Sequence, residues 1–488
     1  MRKKRPTPRT PLTATAIAVI AAALVASCSA NAQSAGPIAS AAPSAPGALS
    51  TSGAASAPHG AGIAPGSQAT GTLANGTTWV ADMPKSWNGT LVLYSHGYGA
   101  LTAADAPDSE TQSAMLAAGY ALAGSSYDPN GSQWALNTAV SDQFGALAAV
   151  EATVLPRRPA HVLAFGTSMG GMVSALEAQD GQGKISGALT TCGAVAGGVN
   201  LNQYQIDGEY AIAQLLGNPK TQLVGLDYDT GSATAAALNS AAARAQATPA
   251  GQARLALAMA FLNVPAWAPD DSQPAPPNQP GAEEAAQYNA LTQDSNNVID
   301  FIEGVRVSME QALGGQAAWT AGTNFAQALA ASPFKREVDG LYKAAGLNLQ
   351  ADLAALNAHA TIKADPAALQ KLRATSAPTG RLAVPELDLH TIGDDIVPVE
   401  NENYYTRLVG QAGSGGLLRV AYTDSFGHCN FSVSEQLAGL QALLRRVSTG
   451  QWDDVATTAS LQPAATALGL DPAHFTGYSP GQLTGAVP

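Results

Sequence analysis

Ser168 stands in Gly166-Thr167-Ser168-Met169-Gly170, a G-x-S-x-G pentapeptide with one more glycine, Gly171, behind it. Residues 161–165, apolar after His161, read as a buried strand directly before it, and residues 172–179 read as a helix directly after. A turn that sharp between strand and helix lifts the hydroxyl clear of the sheet edge, and its glycines leave room for the crossing. A serine hydroxyl is a weak nucleophile at neutral pH. It needs a base within hydrogen-bond reach, and the base needs an acid to orient it. His96-Gly97-Tyr98-Gly99 follows a second apolar run, residues 91–94. Glycines there let backbone N–H groups turn inward. The N–H groups of Tyr98 and Met169 are therefore the candidate donors to the oxyanion of a tetrahedral intermediate, each worth roughly 3–4 kcal/mol of transition-state stabilisation.

Seven histidines compete for the role of base. The chain order expected around a strand–turn–helix serine is nucleophile, acid, base. His59, His96 and His161 precede Ser168. His359 lies in a helical insertion, and His390 on a strand ahead of any suitable acid loop. His474 falls in the C-terminal tail and reads as a surface residue. His428, in Phe426-Gly427-His428-Cys429, follows a strand and opens a loop before a helix. The acid should sit after the preceding strand, where Gly393-Asp394-Asp395-Ile396-Val397-Pro398 is found. Asp394 is the first choice, and Asp395 the alternative with a slip of one.

The elements that must position these residues alternate. Residues 78–83 and 90–95 are β-rich, and Trp87-Asn88-Gly89 between them reads as a hairpin turn. Helices are expected at 109–118, 140–154 and 172–179, and strands at 120–125, 161–165 and 187–191. Residues 200–380 break the rhythm with Ala-rich helical segments, such as 235–245 and 255–262, and a Pro-rich loop at 265–280. Strands at 387–391 and 417–422 and helices at 401–409 and 432–446 restore it. This is an α/β pattern: a mostly parallel sheet with helices on both faces, and a helical cap inserted before the last two strands. Asp207 and Glu209 are read at the start of the cap, either as helix-capping acids or as contacts for a cationic substrate group.

The N-terminus carries Arg2, Lys3, Lys4, Arg5 and Arg9 and no acid, followed by a short apolar run to Ala26. That order is an export signal and is short for a membrane span. Val25-Ala26-Ser27-Cys28 matches a lipobox, with Cys28 as the lipidated residue; cleavage after Ala32 into a freely secreted chain is the alternative. The expected divisions are a signal over 1–28 and an Ala/Ser/Gly/Pro linker over 29–68. Then come a first core part over 69–199, the cap over 200–380, a second core part over 381–452 and a tail over 453–488. The net charge of −12 disfavours nucleic acid, which needs a clustered basic surface. A single apolar run, at the extreme N-terminus, excludes a polytopic membrane protein.

These motifs, in this order from about Thr77 to Trp452, resemble the α/β-hydrolase superfamily, in particular secreted bacterial hydrolases with a large helical cap. The resemblance implies an α/β-hydrolase fold, a Ser168–Asp394–His428 triad and an oxyanion hole at Tyr98 and Met169. The His428-Cys429 pair further resembles that of tannases and feruloyl esterases, which join this Cys to one just before the nucleophile; here Thr167 holds that position. With Cys28 lipidated, Cys192 and Cys429 remain, and an even pair in an exported chain suggests one disulfide. Both should lie at the carboxyl edge of the sheet. There is no H-E-x-x-H, C-x-x-C or Walker A loop, so no metal or other cofactor is expected. The expected partner is a small ester or amide. Carboxylic ester hydrolysis comes first, a serine peptidase or amidase second, and an inactive binding protein last.

Overall fold

The computed structural model describes residues 62–181, 183–293 and 297–486, all within one compact unit, Pro58–Pro488. The export signal, Cys28 and most of the linker lie outside the described residues.

Nine strands form one sheet: β1 (Gln68–Thr72), β2 (Thr78–Asp82), β3 (Thr90–Ser95), β4 (Ala121–Ser125), β5 (His161–Thr167), β6 (Gly187–Thr191), β7 (Glu386–Gly393), β8 (Leu418–Phe426) and β9 (Phe475–Thr476). Their order is β1-β2-β4-β3-β5-β6-β7-β8-β9. From β4 to β8 every pairing is parallel; β1 with β2, β2 with β4, and β8 with β9 are antiparallel. Parallel strands need both faces covered, and the side-chain alternation supplies two apolar faces. Leu91 and Leu93 of β3 pack with α2 (Ala139–Thr153) and α3 (Met169–Asp180), in a cluster that also holds Tyr405 and Val409 of a later helix, α13 (Glu400–Gln411). Val92 and Tyr94 point the other way, into a cluster with α1 (Ser109–Ala117), α14 (Val433–Thr449) and α15 (Thr458–Leu468). Each fully buried leucine of this kind contributes roughly 1.5–3 kcal/mol relative to exposure.

Between β6 and β7 the described residues form helices and no strand, from α4 (Gly198–Leu215) to α12 (Pro366–Thr375). Their shared core reaches down to Met169, Met172 and Val173 of α3. One insertion helix, α8 (Val298–Leu313), docks on the sheet's loops: the Tyr98 hydroxyl donates to the Gly304 carbonyl at 3.0 Å, and Trp134 N–H to Ser308 Oγ at 2.8 Å.

Four expectations are corrected. The Trp87-Asn88-Gly89 turn joins no hairpin, because β2 is already bonded on both edges, to β1 and β4. The linker boundary at 68 falls too late: Ile63 N–H donates to Val154 O at 2.9 Å, and β1 begins at Gln68. The tail over 453–488 is part of the fold. It supplies α15 and β9, so the insertion precedes three strands, and Thr484 N–H then bonds Asn263 Oδ1 of the insertion at 2.8 Å. Asp207 and Glu209 do not cap a helix. They lie buried in mid-α4, where Gln203 holds Asp207 at 3.0 Å and Arg306 of α8 pairs with Glu209.

Candidate active site

Ser168 is the single residue between β5 and α3, at φ 59°, ψ −123°. Its N–H donates to the Thr191 carbonyl at the end of β6, 3.1 Å away, which fixes the turn against the neighbouring strand. The crossing leaves no space for a side chain at Gly170, where a Cβ would stand 1.9 Å from the Ser95 carbonyl oxygen. The loop after β3 lies over the serine: a Cβ on Gly97 would be 3.3 Å from Ser168 Cβ and 3.7 Å from Oγ. Tyr98 and Met169 thus sit in the two segments that flank the hydroxyl. The Tyr98 side chain turns away to the insertion, edge-on to Phe301 with ring centres 5.7 Å apart.

Asp394 follows β7 in a turn of its own making, with Oδ1 accepting from the Ile396 and Val397 N–H groups at 3.0 and 2.8 Å. His428 follows β8, in a loop pinned where Thr391 Oγ1 donates to Gly427 O and Gly427 N–H to Gly393 O. The ring bridges the other two residues. Nδ1 is 2.8 Å from Asp394 Oδ2 and 3.0 Å from Oδ1, and Nε2 is 2.8 Å from Ser168 Oγ. An ionised carboxylate only accepts, so Nδ1 carries the proton and Nε2 is left to accept from the serine. Asp394 is fully buried, which opposes its charge, but His428, His390 and the Val397 N–H outweigh burial and hold its carboxyl below the ordinary aspartate range. Of the two adjacent aspartates, Asp394 is the one that faces His428.

Cys192 and Cys429 are bonded as a disulfide, with Cα atoms 5.2 Å apart. Cys192 directly follows Thr191, the residue that holds the Ser168 N–H, and Cys429 directly follows His428. The bridge therefore ties the histidine loop to the strand end beside the serine. Cys429 Sγ lies 3.4 Å from His428 Nε2. His96 makes no part of this contact. Its Nδ1 faces the Gly97 carbonyl, its ring lies 4.2 Å from that of Tyr127, and burial pulls its pKa down. His474 is exposed, as its place in the chain suggested. A cavity of about 440 Å³ opens beside the site, lined by Tyr94, Gly97, Tyr98, Thr167, Cys429 and Phe431. One set of residues escaped the sequence reading: His390, Glu402 and Asp388, buried together behind Asp394.

The parallel sheet with its antiparallel flank, the serine on a strand-to-helix turn, and Asp394 and His428 on the loops after β7 and β8 give the chain an α/β-hydrolase fold. No protein-family profile matches it. The sequence is 28% identical over 407 residues to an o-phthalyl amidase from Xanthobacter agilis, covering 78% of this chain and 87% of the amidase. Among solved structures, feruloyl esterase B from Aspergillus oryzae aligns with a TM-score of 0.39 and 15% identity, over 78% of this chain and 80% of the esterase. A putative aryl esterase from Burkholderia cenocepacia aligns with a TM-score of 0.34 and 13% identity, over 78% of this chain and 100% of that one.

Proposed function

We propose that the chain is an exported serine hydrolase that cleaves carboxylic esters through an acyl-enzyme on Ser168. The observation that carries this reading is the bridging ring, with Nε2 2.8 Å from Ser168 Oγ and Nδ1 2.8 Å from Asp394. Ser168 Oγ attacks the carbonyl carbon as its proton passes to His428 Nε2. The oxygen that becomes negative is held by the Tyr98 and Met169 N–H groups. Collapse breaks the bond to the leaving group, which takes the proton from His428. A water repeats the sequence and frees the acid. The aromatic residues Tyr94 and Phe431 in the cavity lining suit an aryl or compact acyl group.

A second reading is amide hydrolysis, favoured by the relative named for o-phthalyl amides. The chemistry is the same, with the proton delivered to a nitrogen. Ser168→Ala should abolish covalent labelling by a fluorophosphonate, and activity that persists in this variant sinks both readings. Wild-type rates on p-nitrophenyl esters against anilides and o-phthalyl amides separate the two. Export rests on the basic-then-apolar N-terminus, and lipid attachment on Cys28. Two or more acyl chains would anchor the enzyme stably. The intact mass of protein made in its native host tests this: a mature chain starting at Gln33 without lipid means free secretion.

A further inference from the structure

Asp394 has a second histidine behind it. His390 lies on β7 and is wholly buried. Its Nδ1 is 2.9 Å from Glu402 Oε1 on α13, and its Nε2 is 2.8 Å from the Val397 carbonyl oxygen. The same Nε2 stands 3.6 Å from Asp394 Oδ2, the oxygen nearer to His428 Nδ1. A carbonyl oxygen and an ionised carboxylate are acceptors only. Acceptors at both ring nitrogens require a proton on each, so the ring is an imidazolium.

Glu402 and Asp394 supply the balancing charge. Asp388 of β7 lies with Glu402 and His390 in one buried group, side-chain nitrogen and oxygen atoms within 4.8 Å of one another, and burial, with the Glu402 and Glu386 carboxyls beside it, pushes its own pKa well above the ordinary aspartate range. Glu386 of β7, Glu400 and Tyr405 of α13, Tyr204 of α4 and Tyr422 of β8 complete the titratable groups around this set, with His428 across Asp394. Glu386 is held by Tyr405 and Thr190 hydroxyls at 2.7 and 2.8 Å. Burial by itself would strip His390 of its charge. Glu402, through its hydrogen bond and charge, then Asp394 and the Val397 carbonyl, outweigh burial and lift its pKa to about 9.

We propose that His390, kept cationic by Glu402, is a positioning residue for the Ser168 reaction: its fixed positive charge holds Asp394 ionised and tempers the basicity of His428 from behind. The proposal rests on the reading of Ser168, His428 and Asp394 given above. His390 keeps both protons throughout; the transferred proton travels only between Ser168, His428 and the leaving group. A cation behind the acid offsets part of the attraction between Asp394 and a protonated His428. The imidazolium that forms during attack is therefore stabilised less, and it gives its proton up more readily to the leaving group.

Removing that cation has a signed consequence. Protonated His428 gains stability, so the acid limb of the pH–kcat/KM profile moves to higher pH. His390→Gln should move it up by roughly 0.5–1 unit, less than the 1–3 units of a directly adjacent charge because the cation acts across Asp394. Glu402→Gln keeps the side chain's shape but removes the anion that holds the second proton on His390. It should move the limb the same way by less, since a farther anion is lost with the nearer cation. An unmoved or downward limb in variants that still label with a fluorophosphonate overturns the proposal. Where His390→Gln does not fold, the near-isosteric Glu402→Gln carries the kinetic test. The wild-type enzyme carries a second one: ¹⁵N chemical shifts of the His390 ring at pH 7 should report both nitrogens protonated, and a neutral ring overturns the proposal whatever Ser168 does. Failure of the underlying site shows separately, as labelling that survives Ser168→Ala.

Discussion

Three residues around one hydroxyl hold backbone conformations that L side chains seldom adopt. Ser168 has φ 59°, Cys192 φ 45° and Cys429 φ 55°. Such residues cost on the order of 1–3 kcal/mol each and persist only where the surroundings dictate them. The surroundings here are explicit: the Thr191 carbonyl holds the Ser168 N–H, and the disulfide holds the other two. At the same scale the choice between two adjacent aspartates becomes testable. Asp394 fixes the tautomer in which Nδ1 carries the proton and Nε2 accepts. In Asp394→Asn the amide offers an N–H to Nδ1, and the proton is driven to Nε2, where it blocks the serine. The loss in kcat should be about 10⁴-fold, the scale seen when a triad acid is made an amide. Asp395→Asn should cost far less. Steady-state kinetics on a p-nitrophenyl ester, with circular dichroism to show that both variants fold, make the comparison; a reversed ranking assigns the acid to Asp395.

Elements were legible where their own residues dictate them and illegible where a partner does. β3 and β6 are buried on every residue, and the short, β-branched and aromatic run Leu91-Val92-Leu93-Tyr94 of β3 reads as a strand by itself. β1 alternates exposed and half-buried positions along Gln68–Thr72, and its Ala, Gly and Thr look like the linker before it. Trp87-Asn88-Gly89 has the residues of a turn, but no turn names the strand that its neighbour will pair with. The insertion's helices gave their number poorly because α4 is buried nearly all round, so no apolar stripe separates one face from another. The candidate site was the most legible part, since serine, acid and histidine each stand just past the carboxyl end of a strand, and strand ends are visible in sequence. The disulfide was legible by elimination, as a pair of cysteines at one sheet edge. The His390 set was missed although β7 announces it. Glu386, Asp388 and His390 alternate with Leu387 and Leu389, and in a strand buried on both faces that pattern puts three ionisable groups in the interior. A strand with a charge at every second position reads as half-exposed unless its neighbours are known.

At the scale of the whole molecule, buried acids set how stability follows pH. Burial pushes Glu386 and Glu400 from 4.5 up to about 7, and Glu337 to about 9. It likewise carries Asp207 from 3.8 to about 7. Between the unfolded and folded values, the folded chain keeps protons that the unfolded chain releases. Stability then falls as pH rises through that window, by about 1.4 kcal/mol per unit for each such proton. His390 adds to the same trend. Its pKa is raised from 6.5 to about 9, so its contribution is whole below 6.5 and is lost as pH climbs through 9. Asp394 acts in the opposite sense, but its lowered pKa matters only on acidification below 3.8. The thermal midpoint should therefore be higher at pH 5 than at pH 8.5, measured by calorimetry at constant ionic strength. Glu386→Gln, which keeps a partner for the Tyr405 and Thr190 hydroxyls and removes the titration, should flatten the slope between pH 5 and 7. A midpoint that rises or stays level from pH 5 to 8.5 would show that these carboxyls are ionised in the folded enzyme, with counter-charge or solvent reaching them.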